Sequence, residues 1–400
     1  MTRIAAKYHN KLQSVDHDPQ SPLNSQQLHK ILQPLKAKLS PRSKSKLTKP
    51  ITEDDIQEAL RKTPNDKAPG PDSIPIKFWK SLADQHNTSK NNNQNTKKCS
   101  IIWILTQVFL DIEEHSMDHS ATLNEGCISP IYKKKDPENI ANYRPITLLN
   151  TDYKIFTKAL SLKLANTAPE VIHQDQVGFL KNRSIFNQVK TTKLVIDYMA
   201  RLDKSGAIVA LDQEKAYDKV LHPYLWEVLD KLNFPAHFIN TVRALYDNAT
   251  TRIMINGELS NTFLIVRGVH QGDALLCLLF DIAIEPLAKN IRKTQQLQGI
   301  NIPCTKKSLK VKMFADDTTV FLSEEDSIDD LQDILSNWCQ VSRAKFNIEK
   351  TEIIPLGNAP QRHHLNQKTR KQQLRPTPEH PHCQRWRTRK KPRCLARHRR

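Results

Sequence analysis

Short apolar runs divided by polar, turn-rich stretches mark out the middle of the chain. The run AIVAL (207–211) reads as a strand, and the stretch that follows, DQEKAYDKVLHPYLWEVLDKL (212–232), spaces its apolar residues as a helix does. Farther on, KVKMF and TTVFL, rich in β-branched and aromatic residues, flank Asp316 closely and predict a β-hairpin with its tight turn there. The most apolar segments, SIIWILTQVFL (100–110) and ALLCLLFDIAI (274–284), are too short or too interrupted by charge to span a membrane and read as core helices. Residues 1–49 are rich in Gln, Ser and Lys and predict a peripheral, polar extension. A polar connector follows a short helix near 80–100, and no internal repeat is visible. After Gly357 the chain loses any helical or strand period, so 358–400 reads as a disordered tail.

Composition changes the picture in two ways. The 400 residues, 38% of them apolar, suffice for two or three domains with a core. A net charge of +19 attracts a polyanion, with nucleic acid the natural candidate, although membranes and acidic proteins also bind basic chains. Much of that excess is in the tail: 358–400 holds 14 Lys and Arg against one acid, or +13, which leaves +6 elsewhere. Seven scattered cysteines without a CxxC pair fit a reducing, intracellular compartment. Cys383, Cys394 and His398 match no zinc-finger spacing.

The candidate chemistry is carboxylate chemistry. Asp316 and Asp317 are at the predicted turn, and Asp212 ends the predicted strand. Asp pairs are common turn residues that bond their own backbone. Two adjacent anions without a basic neighbour are nonetheless unfavourable unless a cation joins them. Three carboxylates from two strand ends can hold two Mg2+ (or Mn2+) ions about 3.5–4 Å apart, the arrangement that activates a 3′-hydroxyl and steadies a leaving pyrophosphate.

Seven or so segments in a fixed order carry a family resemblance from Ile51 to Gly357. They are ITEDDIQEAL with KAPGPDSIPIKFWK, GCISPIYKKKDPENIANYRPITLLNTDYKIFTKAL, HQDQVGFLKNRSI, VALDQEKAYDKV, RGVHQGDALLCLLF, MFADD and AKFNIEKTEIIP. Together they resemble the reverse transcriptases of LINE-type (non-LTR) retrotransposons. The resemblance implies an α+β fold, with a polymerase palm built on an antiparallel sheet and helical fingers. It divides the chain into an extension (1–49), a fingers-related part (50–125), fingers and palm (126–357) and the basic tail (358–400). It further implies RNA-directed DNA polymerase activity on an RNA template, a DNA primer and deoxynucleoside triphosphates, intracellular and nuclear in place, with no membrane partner. The family's endonuclease and thumb are expected to be missing, because the resemblance stops after Pro355.

Residue roles follow from the same resemblance. Asp212, Asp316 and Asp317 would ligate the metals, joined by the backbone carbonyl of Gln213. Tyr217 would exclude a ribose 2′-hydroxyl; otherwise it is an ordinary core tyrosine. Gln271 and Gly272 would meet the incoming base and template at a point of close backbone approach; otherwise they form a plain turn before a helix capped by Asp273. Arg144, Lys154 and Arg183 would take the triphosphate, as cations must, unless they are solvated surface residues. Lys350 would protonate the departing pyrophosphate. The chain departs from the family pattern at His270, Ala274 and Leu276, and at Arg343, where a glycine is usual. If that position has positive φ, arginine costs roughly 1–2 kcal/mol. Two other readings remain: a nucleic-acid-binding remnant without chemistry, and a maturase-like RNA-binding protein. The order of the segments and EKAYDKV favour the LINE-type relation over the maturase.

Overall fold

The computed structural model describes residues 1–13, 24–91, 100–118, 122–268, 272–302, 308–348 and 350–357. The tail, His270, Gln271, and four of the seven cysteines lie outside them; among the described residues Cys127, Cys277 and Cys339 form no disulfide.

Two larger sheets, a two-stranded one (Ile300–Asn301 with Ser308–Leu309) and a helical body make up an α+β architecture. The central sheet has four antiparallel strands in the order Glu352–Leu356, Gly206–Leu211, Asp317–Ser323, Val311–Phe314. The predicted AIVAL strand and the two strands of the hairpin are three of its four members. A second sheet forms around the hairpin Gly126–Tyr132 with Tyr143–Leu149, extended by Thr250–Ile255, which pairs parallel to the first of these strands.

Against the central sheet lies the helix Leu276–Lys293, apolar on most of its circumference and therefore buried for most of its length. The buried indole of Trp338, from the helix Ile328–Ser342, donates Nε1–H to Tyr224 Oη at 2.8 Å. Tyr224 in turn donates to the carbonyl of Ala283 at 3.0 Å. This chain of bonds satisfies the polar atoms that three packed helices would otherwise bury unpaired. Among the described residues no helix is long and apolar enough to cross a membrane.

Three expectations are corrected. The stretch 212–232 is not one helix: it splits into Ala216–Lys219 and His222–Lys231, with Pro223 starting the second where a missing N–H costs nothing. The helix after Gly272 is not capped by Asp273. Its cap residue is Leu275, whose N–H bonds Asp273 Oδ1 at 2.9 Å, so the aspartate closes a turn just before the helix. The segment expected to be peripheral is in part core. Leu28, Ile31, Leu32, Leu35 and Leu39 are buried in the main cluster, and the carbonyl of Ile31 accepts from Asn290 Nδ2 at 2.9 Å. Its few apolar residues fall on one helical face and a following turn, which suffices to dock it.

At the end of Ile328–Ser342 the chain reverses through Arg343 at φ 59°, the left-handed conformation anticipated for that position. The next residues run beside Asp212. Asn347 N–H donates to the carbonyl of Asp212 at 2.6 Å, and Glu214 N–H to that of Lys345 at 2.7 Å.

Candidate active site

Strand register brings the three aspartates together. Thr318 is opposite Leu211 at the last pair of the antiparallel ladder, and Asp317 and Asp212 continue the two neighbouring strands just beyond it. Asp317 also pairs with Phe314 across the hairpin, which leaves Ala315 and Asp316 as the two-residue turn. Ala315 takes φ 53°, a left-handed position that costs a β-carbon about 1–2 kcal/mol and is held here by its surroundings.

Electrostatics report the same crowding. Desolvation first, and then the charges of Asp316 and Asp212, push the Asp317 carboxyl above its usual range. Two of the three aspartates have local partners: Tyr217 donates its hydroxyl to Asp316 Oδ1 at 3.4 Å, and Lys350 Nζ is 3.3 Å from Asp212 Oδ2. Among the described residues no group of three or more His, Cys, Asp or Glu side chains is already set at metal-holding spacing. The donors nonetheless suit a hard cation. They are all oxygen, they converge from adjoining strand ends, and their mutual repulsion is what a divalent ion relieves.

Tyr217 is half-buried, its ring 4.6 Å from that of Phe280. Burial, then the Asp316 charge, raises its phenol well above the ordinary value, so it stays a neutral donor. Gly272 has φ 133°, and a β-carbon there would come within 2.6 Å of the Thr147 carbonyl, so the close approach at this turn is to the chain's own strand Tyr143–Leu149. Gln213 is buried, and neither its Nε2 nor its Oε1 has a hydrogen-bond partner.

The basic residues divide. Arg144 is exposed on the strand Tyr143–Leu149. Lys154 donates Nζ to the carbonyl of Ala68 at 2.8 Å, and burial lowers its pKa. Arg183 gives its guanidinium to its own loop: Nη1 to the carbonyls of His173 (2.6 Å) and Gln176 (2.8 Å), Nη2 to that of Ile172 (3.0 Å).

Behind the turn is a layer that reading the sequence missed. Asp175 pairs with His173 and Lys312 at 2.9 Å each, and Gln176 bonds the backbone of Ala315. Asp281, fully buried on the Leu276–Lys293 helix, has neither carboxyl oxygen hydrogen-bonded. The one available signal was a carboxylate inside the otherwise apolar run ALLCLLFDIAI.

Residues 132–374 match the family model for reverse transcriptase (RNA-dependent DNA polymerase), which carries the likeness past Pro355, where it was expected to stop. The chain is 32% identical over 320 residues to the transposon TX1 149 kDa protein of Xenopus laevis, covering 80% of this chain and 23% of that one. It is 25% identical over 227 residues to the Pol polyprotein of the R2 element of Popillia japonica (56% and 31%). Against the RNA-directed DNA polymerase of the mobile element jockey of Drosophila melanogaster it is 22% identical over 318 residues (77% and 32%). The chain thus spans less than a third of the length of each of these relatives. With more than half of its residues inside the matched model, the chain belongs to the reverse transcriptase (RNA-dependent DNA polymerase) family, in the company of the non-LTR retrotransposon enzymes.

Proposed function

We propose that this chain carries out RNA-templated DNA synthesis by two-metal nucleotidyl transfer onto a primer 3′-hydroxyl, as part of a LINE-type element acting on DNA in the nucleus. The observation that supports it most is that Asp212 and Asp317 lie just past the last ladder pair of neighbouring strands, with Asp316 in the adjoining turn. Asp212, Asp316 and Asp317, with the backbone carbonyl of Gln213, would hold two Mg2+ ions. When bound, such a pair lowers the pKa of the attacking hydroxyl and neutralises the leaving pyrophosphate.

The chain's own groups do the rest. Tyr217, braced on Phe280, fills the space a 2′-hydroxyl needs and so selects deoxynucleotides. Gly272 and Gln271 would meet the base pair being formed. The ammonium of Lys350, already at Asp212, is in reach of the same centre and gives its proton to the departing pyrophosphate. Arg144, exposed on its strand, is available to the triphosphate, whereas Lys154 and Arg183 would act by holding the loops on which substrate rests.

Primer extension on poly(rA)·oligo(dT) with Mg2+ tests the proposal. The chain should extend the primer, and Asp316→Asn should abolish extension while template binding persists. Binding without extension in the unaltered chain would favour the reading as a nucleic-acid-binding remnant, to which the Lys350–Asp212 pair lends some support because it neutralises a metal ligand.

A further inference from the structure

The turn that bears Asp316 is held from behind by one carboxamide. Gln176 is 1% exposed, and Ala315, the first turn residue, is 2% exposed. Gln176 Oε1 accepts the N–H of Ala315 at 2.8 Å and that of Gly178 at 2.9 Å. Its Nε2 donates to the carbonyl of Ala315 at 3.2 Å. A side chain thus takes the place of a missing strand. It pairs with both backbone groups of a residue that, as the first position of a two-residue turn, is outside the ladder.

The segment around Gln176 is fastened to the same hairpin. Met313 N–H donates to the carbonyl of Asp175 at 2.9 Å, and Val177 N–H to that of Met313 at 3.0 Å, a short parallel pairing. Lys312 closes an ion pair with Asp175 at 2.9 Å. Gly178 lies so near that a β-carbon on it would come within 2.5 Å of Ala315 N. Arg183 Nη1 grips the carbonyl of Gln176 itself at 2.8 Å. Ala315 needs such fastening, because its left-handed φ of 53° is unfavourable for a residue with a β-carbon and relaxes if the contacts go.

We propose that Gln176 is a positioning residue for the catalytic turn: its carboxamide fixes the strained Ala315 and thereby the placing of Asp316 and Asp317 toward metal. The inference rests on the two-metal reading of those aspartates. Only an amide suits the position, since the site asks for one acceptor and one donor from a single uncharged group. Glutamate keeps the shape but loses the donor and buries a charge; leucine loses both.

Three measurements test it on the full chain. In the unaltered protein, amide hydrogen exchange should protect Ala315 at least a hundredfold more than Asp316, although both are in the turn. Free exchange at Ala315 would overturn the clamp whatever the variants do. Gln176→Leu and Gln176→Glu should each speed exchange across 314–318 at least tenfold and raise the dissociation constant for Mn2+, read by paramagnetic resonance, at least fivefold. Template–primer affinity should stay within twofold. Folded variants with unchanged exchange and unchanged Mn2+ binding would also overturn it. Asp316→Asn run in parallel separates the two ideas. If Asp316→Asn leaves Mn2+ binding intact, the metal reading fails, while the exchange data still decide whether Gln176 holds the turn.

Discussion

Lys350 Nζ is 3.3 Å from Asp212 Oδ2, an ammonium beside the aspartate that ends the central strand. The contact has a backbone cause. Asn347 N–H is bonded to the carbonyl of Asp212, and Lys350 N–H to that of Asn347 at 3.3 Å, so the turn carrying the lysine is laid directly on the strand end. The pair is half-exposed, and its net contribution to stability is therefore small, within about 1 kcal/mol. Its consequence is chemical.

Lys350→Met should lower kcat for primer extension about a hundredfold, the middle of the range for loss of a general acid, and leave the KM for deoxynucleotide within threefold. If Lys350→Met is as fast as the unaltered chain, the lysine is only a surface ion-pair partner.

Sugar choice should depend on Tyr217. Its hydroxyl is tied to Asp316 and its ring to Phe280, so the side chain cannot swing aside for a 2′-hydroxyl without giving up both contacts. Tyr217→Val should raise ribonucleotide use relative to deoxynucleotide use by tenfold or more, equivalent to about 1.4 kcal/mol, with metal dependence unchanged. Competition assays with paired triphosphates measure this. Unmoved sugar preference in an active variant would make Tyr217 a packing residue.

A pH effect on stability should come from Asp281. Burial, eased by Arg183 and reinforced by Glu285 and Asp316, pushes its carboxyl from 3.8 up to about 8. The folded form thus keeps a proton that the unfolded chain has released. From this group, stability is greatest below about pH 4 and declines as pH rises toward about 8, above which the loss is complete. Asp281→Asn mimics the protonated acid and should flatten that decline, so its melting temperature should gain on the unaltered chain between pH 5 and pH 8. A variant that loses ground over the same interval would mean the carboxylate is charged and well solvated in the fold.

How much of this was legible in the sequence depends on the kind of interaction. The strand before Asp212 and the hairpin around Asp316 are local patterns of apolar and β-branched residues, and both formed where expected. The break at Val220–Leu221 was not legible, because the apolar spacing of 212–232 continues across it and only Pro223 hints at a new start. The docking of Leu28, Ile31 and Leu35 depends on distant partners such as Asn290, 259 residues from Ile31. Gln176 was likewise beyond reach: a buried glutamine announces nothing until its partner, the backbone of Ala315, is brought beside it. Arg183 looked like a phosphate ligand by charge, yet three carbonyls of its own loop claim it. Arg343, in contrast, was readable from a single departure, an arginine where a glycine was expected.

That departure gives a stability prediction. Arg343 follows the helix Ile328–Ser342 at φ 59° and closes it by donating its N–H to the carbonyl of Cys339 at 2.9 Å. A side chain in this conformation costs about 1–2 kcal/mol, of which glycine would recover all, less about 0.5–1 kcal/mol for the greater freedom glycine has when unfolded. Arg343→Gly should therefore stabilise by roughly 0.5–1 kcal/mol, a rise of about 0.6–1.2 °C in melting temperature for a chain of this size. Arg343→Ala keeps the β-carbon and should gain nothing, which separates relief of backbone strain from removal of a positive charge. Thermal melts of the two variants side by side decide the matter. Equal stabilisation by alanine and glycine would assign the effect to charge, and a loss with glycine would mean that the arginine side chain holds the turn that leads on to Lys350.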